Sequence, residues 1–301
     1  MKKILLTGAY KYSKSQINLI ASLGFDVYFQ QYETNEVENK AEYDAVICNG
    51  LFENHNIKDF TNLKYIQLTS AGFDRVPMEY IQEHCISIKN ARGVYSIPIA
   101  EHTVMLILEL LRGGRFYHEN QSNHDWNKNR NAIELYKKTA VIAGFGNIGL
   151  EIAKRLKAFS VYITALDVHP ITSEYLNEYR NIQELNESVR KTDVFISSMP
   201  YTKSTYHIFD EKFFSSMKKE ALFINVSRGK LVNENALITA LKNNRIGGAA
   251  LDVFENEPLE SDSKLWDIDN LIITPHNSFI GDGNSDRMFE VIYSNLKEWV
   301  S

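Results

Sequence analysis

The stretch TAVIAGFGNIG, Thr139 to Gly149, decides how the rest of the chain is read. Apolar residues from Ala140 to Ala143 make a short buried strand that runs straight into glycines at 144, 146 and 149. This G-x-G-x-x-G spacing serves a tight turn, a close backbone approach to a pyrophosphate, and close packing of the following helix on the strand. That helix is legible in the stripe Ile148, Ile152, Leu156 and Phe159. Its first amides, those of Asn147 and Ile148, lie at the partially positive helix end that favours phosphate. The next strand ends on Asp167, 18 positions past Gly149. A carboxylate there accepts hydrogen bonds from both adenosine ribose hydroxyls and repels a 2′-phosphate. Val168 and His169 follow with no arginine beside them, so NAD is expected rather than NADP.

A dinucleotide turn usually opens a domain, yet 138 residues precede this one. They read as a strand–helix series of their own, with strands at Lys3–Thr7, Asp26–Phe29, Ala45–Cys48, Tyr65–Thr69 and Ile86–Lys89. Between the first two, Ser13 can cap a helix whose apolar face is Ile17, Leu19, Ile20 and Leu23, stopped by Gly24. The second series runs through Ala140–Ala143, Val161–Leu166, Val194–Ser198, Leu222–Val226, Gly248–Leu251 and Leu271–Thr274. Such alternation predicts an α/β chain with two doubly wound parallel sheets, each covered on both faces. Between the series, a helix over Ile99–Leu111 is apolar nearly all round and is expected to be buried. The stretch HENQSNHDWNKNRN after it is polar and reads as irregular; the spacing of His118 and His124 suits no metal site. An amphipathic helix near Asp286–Val300 ends the chain, so no appended regulatory domain is expected.

Composition narrows the partners. A chain of 301 residues holds two domains. With 44% apolar and 24% charged residues it is ordinary for a water-soluble protein. A net charge of −5 gives nucleic acid or an anionic membrane no electrostatic reason to bind. The N-terminal apolar run ends after Leu6, too short for a signal-peptide core, and no stretch approaches a membrane span. Two cysteines, Cys48 and Cys85, make neither a disulfide framework nor a zinc set; buried free thiols in a reducing cytoplasm are expected. YKYSK at Tyr10–Lys14 matches a Y-x-x-x-K catalytic pair but precedes the cofactor turn, so it is set aside.

Three later segments put polar residues just past buried strands: Arg228 in NVSRG, Asp252 and Glu257 in ALDVFENEP, and His276 in TPHNS. Ligands of open α/β sheets bind at those strand ends. Arginine can hold a substrate carboxylate through two charge-assisted hydrogen bonds, histidine can pass a proton near neutral pH, and a carboxylate beside the ring orients it. Together they suit a hydride-transfer site. Tyr95 and Phe279 could shape a substrate pocket, but aromatic residues are more often core, and they are left out of the site.

At these residues the chain resembles the D-isomer-specific 2-hydroxyacid dehydrogenases. The likeness is densest from Thr139 to His276, through GFGNIG, PYTKSTYHIFDEKFFSSMKKEALFINVSRGKLVNENAL, AALDVFENEP and TPHNS. The resemblance implies that His276 is the acid–base, that Glu257 hydrogen-bonds it, and that Arg228 binds the substrate carboxylate. It implies that Asp252 holds the nicotinamide carboxamide, and that Thr103, Val226 and Ser227 line the cofactor with Pro200 over it. Backbone amides of Ser70, Ala71 and Gly72 would take the substrate carboxylate. The cofactor domain, residues 97–279, would be a Rossmann fold inserted in a flavodoxin-like substrate domain made of 1–96 and 280–301, with the reaction in the cleft. The Ile99–Leu111 helix and the Trp126 arm resemble that family's dimer-forming region, so a homodimer is expected.

The implied reaction interconverts a small 2-oxo acid and its D-2-hydroxy acid with NAD(H). The alternative is an NAD(H)-gated binding or corepressor-like protein on the same fold. Formate-oxidising relatives carry glutamine where this chain has Glu257, which argues against that branch. Glu220 stands where the family commonly has glycine and Asn233 where it has aspartate; HNSFIGDGN after His276 is less typical and leaves the substrate open.

Overall fold

A computed structural model describes residues 1–301. The chain divides into two units, Met1–Tyr95 with Gly281–Ser301, and the continuous segment Ser96–Ile280 between those pieces. No helix is long and apolar enough to cross a membrane.

The first unit is built on five parallel strands: β1 (Lys2–Thr7), β2 (Phe25–Gln30), β3 (Ala45–Cys48), β4 (Tyr65–Leu68) and β5 (Ser87–Lys89), in the order β2-β1-β3-β4-β5. Helices α1 (Lys14–Ser22), α2 (Leu51–Asn54) and α3 (Met78–Glu83) connect them. Helix α1 starts where Ser13 and Gln16 form a reciprocal capping box, and stops before Gly24 at φ +95°. Alternation along β1 sorts the core into two layers. Ile4 and Leu6 join Ile20 of α1 on one face, while Leu5 joins Leu51, Phe60 and Ile81 on the other.

The second unit holds seven parallel strands: β6 (Thr139–Ala143), β7 (Tyr162–Asp167), β8 (Glu178–Asn181), β9 (Val194–Ser197), β10 (Leu222–Asn225), β11 (Gly248–Leu251) and β12 (Leu271–Ile273). Their order is β12-β11-β10-β9-β6-β7-β8. The chain therefore winds outward from β6 in one direction and then from β9 in the other, which leaves a switch point between β6 and β9. Helices α4 (Ser96–Arg112), α5 (Gly114–Asn123), α6 (Asn147–Lys157), α7 (Leu185–Ser188), α8 (Glu211–Ser216) and α9 (Glu234–Lys242) belong to this unit. The last helix, α10 (Asn284–Val300), returns to the first unit, where Met288, Ile292 and Leu296 join the layer of Ile4 and Leu6. One face of the larger sheet is closed by Phe195, Phe209, Phe213, Phe214 and Phe223, all essentially inaccessible. Burying each phenyl ring contributes about 1.5–3 kcal/mol.

Two elements depart from the sequence reading. Strand β8, EYRN, had no apolar run to announce it, because an edge strand needs only one neighbour, here β7. The polar stretch read as irregular is helical as far as Asn123, since α5 buries no residue and so shows no apolar stripe.

Candidate active site

All strands of the larger sheet are parallel, so their C-terminal ends share one edge. At the end of β6, Gly144 has φ +82°, and a Cβ there would lie 2.5 Å from Met199 Cα and 2.6 Å from Met199 N. Neither the conformation nor the space tolerates a side chain. A Cβ on Gly146, by contrast, would meet nothing within 4 Å. Gly146 is also the N-cap of α6 and offers no side chain to its first amides. An uncapped helix start, open at its glycine, fits the pyrophosphate of a dinucleotide. Asn147, Ile148 and Gly149 supply the first turn of that helix.

Asp167 ends β7 beside this turn. Its Oδ2 accepts from the Phe145 N–H at 2.7 Å and its Oδ1 from its neighbour Val168 N–H at 2.7 Å. Both oxygens are thereby aimed, and each keeps a second lone pair for a ribose hydroxyl.

The three residues expected to react, Arg228, Glu257 and His276, hang from three adjacent strands. Past β10, the side chain of buried Asn225 folds the chain into a turn: its Oδ1 accepts from the Ser227 hydroxyl at 2.7 Å, and its Nδ2 donates to the Arg228 carbonyl at 3.0 Å. Arg228, half-buried, donates from Nη1 to the Ser227 carbonyl at 2.7 Å. Gly229 then passes so close to the next loop that a Cβ would sit 1.8 Å from the Phe254 carbonyl carbon. That glycine lets the arginine loop lie against the loop that follows β11.

The β11 loop carries Glu257, preceding a cis peptide to Pro258. Glu257 Oε1 accepts from the Phe254 N–H at 3.0 Å, which leaves Oε2 to meet His276 Nδ1 at 2.7 Å. A carboxylate can only accept, so Nδ1 carries the hydrogen and Nε2 is the ring atom left to exchange a proton. The imidazole side chain is 44% exposed, and Phe279 stands edge-on to it, centroids 6.0 Å apart.

His276 itself adopts φ +50°, unusual for a residue with a Cβ. Asp252 is what holds it there. The Asp252 carbonyl accepts from the His276 N–H at 2.8 Å. The Asp252 carboxylate takes the Thr274 hydroxyl at 2.6 Å and the N–H groups of Asn277 and Ser278 at 2.8 and 3.0 Å. Arg228, Glu257 and His276 are therefore carried by neighbouring loops, with Glu257 and His276 in direct contact.

Other predicted residues sit differently. Thr103 and Asp252 were expected to line the cofactor, but both are 0% exposed. The Thr103 hydroxyl donates to the Ile99 carbonyl of its own helix at 2.7 Å, and the Asp252 carboxylate is surrounded by its three donors. Val226 and Ser227 are also buried, Ser227 sharing a hydrogen bond with Ser197 at 2.8 Å, whereas Pro200 is exposed past β9. Phe279, left out of the site, is 40% exposed. In the first unit, Ser70, Ala71 and Gly72 turn just beyond β4. Their carbonyls accept from Ala91 N, Asn90 Nδ2 and Ser70 Oγ, while the Ala71 and Gly72 N–H groups have no acceptor in the protein. Asn225 and Thr274 were not singled out from sequence; the available signal was a polar residue at the very end of an apolar strand.

This arrangement defines a dinucleotide-binding oxidoreductase of the doubly wound class. Residues 104–278 match the model of the D-isomer specific 2-hydroxyacid dehydrogenase NAD binding domain. Glyoxylate reductase of Thermofilum pendens is 35% identical over 241 residues, covering 78% of this chain and 71% of that protein. Among solved structures, a D-isomer specific 2-hydroxyacid dehydrogenase family protein from Aeromonas salmonicida superposes with a TM-score of 0.85 at 26% identity, covering 99% of this chain and 96% of that one. An NADPH-dependent glyoxylate/hydroxypyruvate reductase from Sinorhizobium meliloti gives a TM-score of 0.82 at 25% identity, covering 100% and 95%. The chain belongs to the D-isomer specific 2-hydroxyacid dehydrogenase family. It is an oxidoreductase with an NAD-binding domain, and the family's chemistry is NAD(P)-dependent oxidoreduction of 2-oxo and 2-hydroxy acids.

Replacing Gly144 by alanine is predicted to cost about 1–3 kcal/mol of stability through strain and overlap. It should also weaken NADH binding at least about tenfold, read by the quench of protein fluorescence on titration with NADH. Unaltered affinity would mean that the turn does not hold the coenzyme.

Proposed function

We propose that the protein reduces a small 2-oxo acid to its D-2-hydroxy acid, with His276 as the acid, Glu257 orienting it and Arg228 holding the substrate carboxylate. The observation that carries this reading is the 2.7 Å bond between His276 Nδ1 and Glu257 Oε2. It keeps the ring in one tautomer and gives the imidazolium a counter-charge, so Nε2 can deliver its proton to the carbonyl oxygen. The Arg228 guanidinium pairs with the carboxylate of the 2-oxo acid and draws electron density from the carbonyl. In the first unit, the Ala71 and Gly72 amides have no acceptor in the protein and are suited to receive a carboxylate. NADH, when bound, supplies the hydride that reaches the carbonyl carbon. His276 is left neutral and regains its proton from water; in the reverse direction Nε2 takes the hydroxyl proton.

Gly144, Gly146, Asn147, Ile148, Gly149 and Asp167 would hold the dinucleotide, with Val226, Ser227 and Pro200 at the same sheet edge. The Asp252 contact with the nicotinamide carboxamide, and any Thr103 contact, would require a local shift, since neither residue has exposed surface here. Asp167 favours NADH over NADPH by repelling the 2′-phosphate. The NADPH-dependent Sinorhizobium relative makes a direct comparison of the two coenzymes necessary.

A homodimer is supported by the segment after α5, where Trp126 is 97% exposed and Ile133 and Tyr136 are also uncovered. A monomer in sedimentation at micromolar concentration would refute it. Of the two free thiols Cys48 is buried, whereas Cys85, expected to be buried, is exposed just past α3; an exposed thiol left unpaired favours a reducing compartment such as the cytoplasm.

A panel of glyoxylate, hydroxypyruvate, pyruvate and branched 2-oxo acids should consume NADH with at least one member. His276→Gln should lower that turnover about 10²–10⁴-fold while NADH binding stays nearly intact; undiminished turnover would remove His276 from the mechanism. Tight NADH binding with no turnover across the panel would point to the binding-protein alternative. Asp167→Ala should shift preference toward NADPH by about tenfold, compared as kcat/KM with either coenzyme. The same preference in both proteins would exclude the ribose role.

A further inference from the structure

Behind the loop that bears His276 lies a second histidine. His102, on α4, is only 14% exposed, and its Nε2 is 3.1 Å from Thr274 Oγ1 and 3.8 Å from Asp252 Oδ1. The Thr274 hydroxyl has one hydrogen, and at 2.6 Å it is directed to the Asp252 carboxylate, which can only accept. The Thr274 oxygen must therefore accept from His102, so Nε2 carries a hydrogen. The result is a one-way chain of donors, from His102 to Thr274 to Asp252. Burial holds the pKa of His102 below its ordinary value, against the opposing pull of Asp252 and Glu109. A neutral ring with its hydrogen on Nε2 satisfies the chain.

Asp252 has no exposed surface, and beside His102 its carboxylate is met by Thr274, Asn277 and Ser278 alone. Those three residues flank His276 on both sides. A hydroxyl that accepts one hydrogen bond donates a stronger one, so His102 both fixes the Thr274 rotamer and strengthens its bond to Asp252.

We infer that His102 is a positioning residue for the reaction, acting through Thr274 and Asp252 to keep the loop bearing His276 in its +50° backbone conformation, where the ring meets Glu257. The inference rests on the reading of His276 as the acid–base. Displacing a reacting group by 1 Å can cost ~10²-fold in rate. Loosening one link of a loop that keeps its other bonds should cost less, about tenfold.

The test measures kcat and KM with NADH and the panel's best 2-oxo acid for His102→Leu, His102→Gln, Thr274→Val and the His102→Leu/Thr274→Val double variant. NADH affinity is taken by fluorescence on each. His102→Leu and Thr274→Val should each lower kcat about tenfold, with KM and NADH affinity within about twofold of wild type. The glutamine amide can still donate to Thr274, so His102→Gln should recover most of the loss. The double variant should be no slower than Thr274→Val alone, because both changes break one chain. Multiplying losses in the double variant, equal losses for leucine and glutamine, or a normal kcat in His102→Leu would each overturn the inference. If His102→Leu fails to fold, Thr274→Val and His102→Gln decide: normal kcat in the former, or a tenfold loss in the latter, overturns it. Failure of the underlying reading is separate: it shows as undiminished turnover in His276→Gln, whatever the His102 variants do.

Discussion

The site depends on one buried carboxylate. Asp252 has no exposed surface, and taking an ionised group out of water costs several kcal/mol unless donors replace the solvent. Here the donors are the Thr274 hydroxyl and the N–H groups of Asn277 and Ser278, all drawn from one loop. The loop's donors offset the cost of burying the carboxylate, and the carboxylate in turn ties the loop down at three points. Between these anchors, His276 is held at φ +50°, a conformation that costs about 1–3 kcal/mol for a residue with a Cβ. Its N–H bonds to the carbonyls of Asp252 and Thr274 offset part of that strain.

The same device recurs one strand away. Asn225 closes β10 with a buried amide that accepts from Ser227 and donates to the Arg228 carbonyl. Asp167 closes β7 and accepts from the backbone of the glycine turn. In each case a polar side chain at or just past the end of a strand accepts from N–H groups of a loop at the same sheet edge. Such amides would otherwise be unpaired near the core. The strand ends thus dictate where Arg228, Glu257 and His276 go, and short loops suffice to carry them.

Much of this was legible in the amino-acid order because parallel strands covered on both faces read as unbroken apolar runs. The glycine turn, its helix and Asp167 were visible for the same reason, since each is tied to local spacing. Strand β8 was not: EYRN is half-buried at a sheet edge and has no apolar signature. Helix α5 was hidden because it buries no residue. The pairing of Glu257 with His276 was expected from family likeness; position alone does not separate Glu257 from Glu255, and the coordinates put Glu257 on the imidazole. Glu255 turns out to face His207 at 3.1 Å and to accept from the Glu234 N–H. The inward duty of Asp252 and the participation of Thr274 and His102 are tertiary facts, joining positions far apart in the chain, and no local pattern encodes them. Phe279 was left out of the site because aromatic residues are usually core, whereas here it stands edge-on to the imidazole.

The proposed mechanism turns on where two side chains reach: His276 Nε2 to the carbonyl oxygen of a 2-oxo acid, and the Arg228 guanidinium to its carboxylate. A crystal structure with NAD⁺ and oxalate, whose planar carboxylates imitate the substrate, tests it most directly. Nε2 is expected within hydrogen-bond distance, about 2.7–3.2 Å, of one oxalate oxygen and the guanidinium within the same distance of the oxalate carboxylate, with Glu257 still on Nδ1. Oxalate bound elsewhere, or the imidazole turned from it with the Glu257 bond broken, would contradict the account.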